Sequence, residues 1–174
     1  MRLGPVVLPE GAKGFKLADW SGRVFGPDVV IARAGQAGYL GFAECKWCRE
    51  DKIYETLWDL LKLAVALART HAEHAYLIVG APAEPWGRGG LCAELIADGA
   101  WTARELFEHY RRAWQWLLKA TRACPDRVPA AIETALLAAV PMHLADAPDW
   151  ELRAVRIGVP GDEWVALADG WPVP

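Results

Sequence analysis

Hydrophobic and polar positions change their period several times along the chain, and each change marks an element. Apolar residues cluster at Val29-Val30-Ile31 within Arg23 to Arg33, and again from Tyr39 to Trp47, with Ala34-Gly35-Gln36-Ala37-Gly38 between them. Two short apolar runs joined by a glycine-bearing connection predict a β-hairpin. An earlier run, Phe15 to Trp20, predicts a further strand closed by Ser21-Gly22, and residues 1–14 read as an irregular lead-in. After Trp47 the period lengthens. Ile53, Leu57, Leu60, Leu61, Ala64, Leu67 and Ala68 recur at helical spacing, which predicts a helix from about Lys52 to Thr70. Trp58, Leu63 and Val65 widen its apolar face beyond one stripe, as in a helix covered on most sides. Tyr76 to Gly80 is fully apolar and predicts a buried strand, which the preceding helix can place parallel to its partner.

The second half alternates in the same way. Leu91 to Ala97 has no clear period. Thr102 and Glu105 have capping-box spacing for a helix running to about Ala123, with Leu106, Phe107, Tyr110, Trp114, Leu117 and Leu118 on its inward side. Pro129 to Val140 predicts another helix, opened by Pro129 and stopped by Pro141. Trp150 to Val159 and Glu163 to Ala168 predict strands. The expectation is a single α/β domain over 1–174.

Composition narrows the function classes. Hydrophobic residues make up 53% of 174 positions and charged residues 24%, enough for a packed core. The longest apolar run, Leu63 to Ala68, is too short to span a bilayer. Gly4 and Pro5 stand where an export signal carries its apolar segment, so the expected compartment is the cytoplasm, with no membrane partner. The net charge of −3 argues against a surface that is basic all round, so any nucleic-acid contact rests on a local patch. Four cysteines, Cys45, Cys48, Cys92 and Cys124, are too few for a disulfide framework in a chain of this length.

The stretch that carries chemistry is Gly26-Pro27-Asp28-Val29-Val30-Ile31 followed by Gly41-Phe42-Ala43-Glu44-Cys45-Lys46-Trp47. Along an extended strand Glu44 and Lys46 project from one face, Cys45 and Trp47 from the other. Charged groups late in an apolar strand need partners, and Asp28 on the adjoining hairpin strand supplies one. Asp28 and Glu44 offer hard oxygen ligands for Mg²⁺ or Mn²⁺, and the Cys45 carbonyl adds a third. Lys46 beside them can orient a water and offset negative charge developing on phosphorus. The bland alternative is a surface ion pair and a turn aspartate.

Pro27-Asp28, then Glu44-Cys45-Lys46, then a helix, resembles the PD-(D/E)XK nuclease superfamily with its restriction-endonuclease-like fold. The resemblance covers about residues 15–80 and leaves 91–174 as a helical and strand elaboration. It implies a mixed central sheet flanked by helices, Asp28 and Glu44 as metal ligands, and Lys46 as the catalytic lysine. The implied activity is hydrolysis of phosphodiester bonds in nucleic acid, DNA in preference to RNA. The chain departs from the pattern at its start: residues 1–14 do not read as the helix that usually precedes the first core strand, and Glu10 is its only early carboxylate. That departure, with the acidic balance, keeps a catalytically silent binding or assembly module on the same fold as the alternative.

Other motifs compete. Cys45 and Cys48 with His71 and His74 have the composition of a zinc site, but two cysteines on one strand diverge unless it ends in a knuckle turn. Neither cysteine stands at a helix start after a strand, as a redox pair requires. Arg104, Arg111, Arg112, Lys119 and Arg122 stripe the helix after Thr102, either along phosphates or as a solvated face. Trp164 and Trp171 mark either an interface, to a protein partner or a second copy, or a tail folded on the core.

Overall fold

A computed structural model describes residues 27–32, 38–47, 53–82, 91–111, 127–143 and 149–166. Among them the elements run β1 (Val29–Ile31), β2 (Gly41–Trp47), α1 (Ile53–Thr70), β3 (His74–Pro82), α2 (Leu91–Leu95), β4 (Gly99–Thr102), α3 (Ala103–His109), β5 (Arg127–Pro129), β6 (Ala131–Met142), β7 (Trp150–Gly158) and β8 (Trp164–Ala166). Six strands form one sheet in the order β1-β2-β3-β7-β6-β4, and β5 pairs with β8 separately. Only β2 and β3 run parallel in the large sheet; its other neighbours are antiparallel. The protein is thus a mixed α/β fold, and α1 is the crossover that a parallel pair requires.

Alternation along β2 decides which side α1 covers. Phe42 is fully buried and Glu44 nearly so, whereas Cys45 and Trp47 are exposed on the opposite face. Phe42, Glu44 and Lys46 stand beside Ala75, Leu77 and Val79 of β3, all buried on this inner face. Leu57, Leu60, Leu61, Leu63, Ala64 and Val65 of α1 are completely inaccessible, so the helix is enclosed on most of its circumference. The sheet covers one side, while α2 and β5 cover others. Leu95, Ile96, Leu106, Phe107 and Ile132 belong to the same cluster. Each fully buried Leu or Ile contributes roughly 1.5–3 kcal/mol, which makes α1 the centre of the fold's stability. The helix closes with Thr70 Oγ1 donating to the Ala66 carbonyl at 2.7 Å and with His71 left-handed at φ 52°.

The parallel pair is tight at its start. A Cβ added to Gly41 would lie 2.7 Å from the His74 carbonyl oxygen, a backbone atom. Gly41→Ala is therefore expected to push β2 from β3 at their first pair and to lower stability by about 1–3 kcal/mol in urea unfolding. A parent-like midpoint would mean that the strands have slack there.

Several expectations are corrected. Residues 129–140, read as a helix, are β5's last residue and most of β6. Ala, Leu and Glu favour helix locally, but β7 runs along β6 for most of its length and β4 holds Ala131 to Thr134 on the other side. Backbone pairing on two sides outweighs a propensity worth tenths of a kcal/mol per residue. Ile132 and Thr134 buried with Glu133 exposed show the period of two. Pro141 lies beyond the β4 pairing, where a missing N–H is tolerated. Strand β4 was not expected at all. Trp164 packs against the core beneath Arg69, whose guanidinium carbon lies 5.7 Å from the ring centroid, which is the core-folded one of its two readings. The strand expected at Phe15 to Trp20, Trp171, Cys48 and the helix beyond Arg111 lie outside the described residues. No helix among the described residues is long and apolar enough to cross a membrane.

Candidate active site

Hairpin register brings the two carboxylates together. Val29 faces Ala43 and Ile31 faces Gly41, so one further step places Asp28 opposite Glu44. Asp28 Oδ2 accepts a hydrogen bond from the Cys45 backbone N–H at 2.9 Å. In an extended strand a residue directs its N–H and C=O to the same side, so the Cys45 carbonyl also faces Asp28. The ladder partner of that carbonyl would be Pro27, which has no N–H to donate. A carbonyl oxygen is thereby left on the side of the two carboxylates.

Helix α1 supplies the counter-charges. Lys62 pairs with Glu44 Oε1 and, at 3.1 Å, with Asp59 Oδ1. Lys46 reaches the other oxygen of Asp59 at 2.7 Å and Glu55 at 3.3 Å. Glu55, Asp59 and Lys62 follow one another at four and three residues, the spacing of one helical face. The apolar period that predicts this helix assigns these three charged positions no role. The missed signal is their position: three charged residues on one stripe of an otherwise buried helix require charged partners on the facing strand.

Electrostatics separates the roles. The Cys45 N–H is the main influence holding the Asp28 carboxyl below its ordinary value. Burial pushes Glu44 up to about 7 against 4.5, with the Asp59 and Asp28 charges adding and Lys62 opposing. Two apposed carboxylates thus share their environment unequally: Asp28 stays ionised while Glu44 holds a proton more readily. Desolvation would lower the Lys46 ammonium, but the bond to Asp59 and the charges of Asp59 and Glu55 outweigh it and keep Lys46 cationic. The Cys45 thiol is raised, chiefly by desolvation and further by Asp28 and Glu44, so it offers no thiolate ligand near neutral pH.

A pH dependence follows. Folded Glu44 retains a proton that the unfolded chain has released between about pH 4.5 and about pH 7. Stability contributed by this group therefore falls as pH rises through that window and levels off above it, by roughly 3 kcal/mol at most. Asp28 acts oppositely and lower, losing its contribution only as the solution becomes more acidic than its ordinary 3.8. Urea midpoints of the parent minus those of Glu44→Gln, without divalent ions, should decline from pH 5 to 7.5. A flat difference would remove the burial of Glu44 as their cause.

The donor set fits a hard divalent cation. Asp28, Glu44 and a backbone carbonyl are oxygen donors of the kind Mg²⁺ and Mn²⁺ take, with waters and substrate oxygens filling the remaining positions. A cation there would also relieve the crowding that raises Glu44. Among the described residues no three or more His, Cys, Asp or Glu side chains are grouped to hold a metal ion, so a site of two carboxylates depends on those additional ligands. Among the described residues zinc has no such support. His74 stands beside Gly41, four residues along the strand from Cys45, a separation of about 13 Å at 3.3 Å per residue. The arginine stripe is seen in part: Arg104 pairs with Glu108 at 3.2 Å and both are exposed, which is a solvated helix face. No protein-family model, curated protein or solved structure matches this chain.

Proposed function

We propose that the protein is a metal-dependent nuclease of the PD-(D/E)XK type, with a restriction-endonuclease-like core built on β1, β2, α1 and β3. One observation carries this reading: Asp28 and Glu44 stand opposite each other on paired strands, with the cationic Lys46 two residues further along the same face. Mg²⁺ or Mn²⁺ held by Asp28, Glu44 and the Cys45 carbonyl would supply Lewis-acid charge and a bound water of lowered pKa.

The chain's own residues do the rest. Asp28, held ionised, is the fixed negative charge of the site, and Glu44 adds to it as it loses its proton near pH 7. Lys46 places a positive charge where a phosphodiester oxygen gains negative charge, and its ammonium donates hydrogen bonds that orient the attacking water. Lys46 remains protonated, so it acts as an electrostatic stabiliser and not as a base. Asp59 and Glu55 fix the direction in which it points.

The alternative is a catalytically silent binding or assembly module on this fold. It is favoured by one feature: both lysines of the site are already neutralised by carboxylates of the same chain. Labelled single- and double-stranded DNA and RNA, incubated with purified protein in Mg²⁺ or Mn²⁺, separate the two readings. Cleavage abolished by EDTA is the expected result, with DNA as the first substrate. Intact substrates together with absent Mn²⁺ binding would overturn it in favour of the silent module.

A further inference from the structure

Five charged side chains meet between β2 and α1, with Asp28 beside them on the hairpin, and their bookkeeping is uneven. Asp28, Glu44, Asp59 and Glu55 are four carboxylates; Lys46 and Lys62 are two ammoniums. If all are ionised the cluster carries two excess negative charges, the charge of one divalent ion. Asp59 is the shared member, with one oxygen on each lysine. Lys62 is the shared cation on the other side, touching both Glu44 and Asp59. Glu44, Asp59 and Lys62 are all buried, so water screens these contacts poorly and a change at one is felt by the next.

We propose that Lys62 is a built-in counter-ion that a divalent cation must displace from Glu44, and that Asp59 transmits this displacement to Lys46. The inference rests on the reading of Asp28 and Glu44 as cation ligands. With Lys62 on Glu44 Oε1, a divalent ion taken by the same carboxylate brings like charges together in a buried site. Lys62 has somewhere to go, because Asp59 lies one helical turn before it and is already 3.1 Å away. As Lys62 leans fully on Asp59, that carboxylate attracts Lys46 less. Lys46, held less firmly at the other Asp59 oxygen, then leans more on Glu55, a more exposed partner, and can turn toward a phosphate. Lys62 is thus a positioning residue that holds the lysine of the site back until the cation is loaded. It touches neither substrate nor the reacting atoms.

Mn²⁺ titration calorimetry on the full chain tests this without any cleavage assay. Lys62→Met should bind Mn²⁺ about tenfold more tightly than the parent, and Lys62→Arg, which retains the charge, should bind like the parent. Circular dichroism confirms that each variant is folded. Unchanged or weaker binding by a folded Lys62→Met, with binding still lost in Asp28→Asn, would overturn the inference and leave the metal reading standing. Binding indifferent to Asp28→Asn would overturn that reading and the inference with it. A second measurement needs no variant at position 62. Reductive methylation of parent lysines, read by mass spectrometry, should label Lys46 several-fold faster once Mg²⁺ is present. Equal labelling with and without Mg²⁺, where Mg²⁺ is shown to bind, would overturn the transmission through Asp59.

Discussion

Lys46→Ala is expected to lower phosphodiester cleavage by roughly 100- to 1,000-fold, the loss typical of one electrostatic stabiliser removed from a transition state. The fold should survive. Lys46 is one-fifth exposed, and Asp59 keeps Lys62 as a partner after the substitution. Mn²⁺ affinity should not fall, because the alanine removes a neighbouring positive charge and no ligand. That combination separates a catalytic lysine from a structural one: turnover drops, while the thermal midpoint and Mn²⁺ binding stay near parent values. Undiminished cleavage would discard the assignment. A matching loss of folding and activity would recast Lys46 as half of a structural ion pair.

Asp59→Ala is expected to have the largest effect on stability, about 3 kcal/mol, because it removes the shared anion from two lysines. Breaking a buried pair from one side leaves an uncompensated charge out of water, and the cost exceeds the value of the pair itself. Asp59 is 5% exposed, so little solvent is available to replace it. Lys62 would fall back on Glu44 and Lys46 on Glu55, which keeps the loss from being greater. Urea unfolding measures it, and Asp59→Asn, which preserves shape and one acceptor oxygen, should lose less. A change below 1 kcal/mol for the alanine would show that water enters between α1 and β2 and solvates both lysines.

These two expectations draw on different levels of the molecule. The motif around Asp28, Glu44 and Lys46 was readable along the chain because its logic is local. Strand alternation puts Glu44 and Lys46 on one face, and a short hairpin brings Asp28 to their side; the structure has this arrangement. The same holds for α1, whose apolar period predicts its burial, and for the parallel placement of β3 after it. The Thr102 capping box is another local signal, with Thr102 Oγ1 accepting from the Glu105 N–H at 3.1 Å and Glu105 accepting from the Thr102 N–H at 2.9 Å. Such features need only residues within a few positions of one another, and their physics is contained in the spacing.

What the spacing leaves open is set by partners distant in the chain. Residues 131–142 carry a helix-favouring composition and become β6 because β7 and β4 offer backbone partners, an energy that no local window contains. β4 itself is four residues long and exists by pairing with β6. The roles of Glu55, Asp59 and Lys62 depend on how α1 is rotated over the sheet. Packing of its leucines decides that rotation, and with it the side on which the charged stripe meets β2. The chain by itself therefore determined that Asp28, Glu44 and Lys46 come together on one side of the hairpin. Tertiary structure decided which charges surround them, because burial and counter-ion contact arise only when the helix closes over the strand.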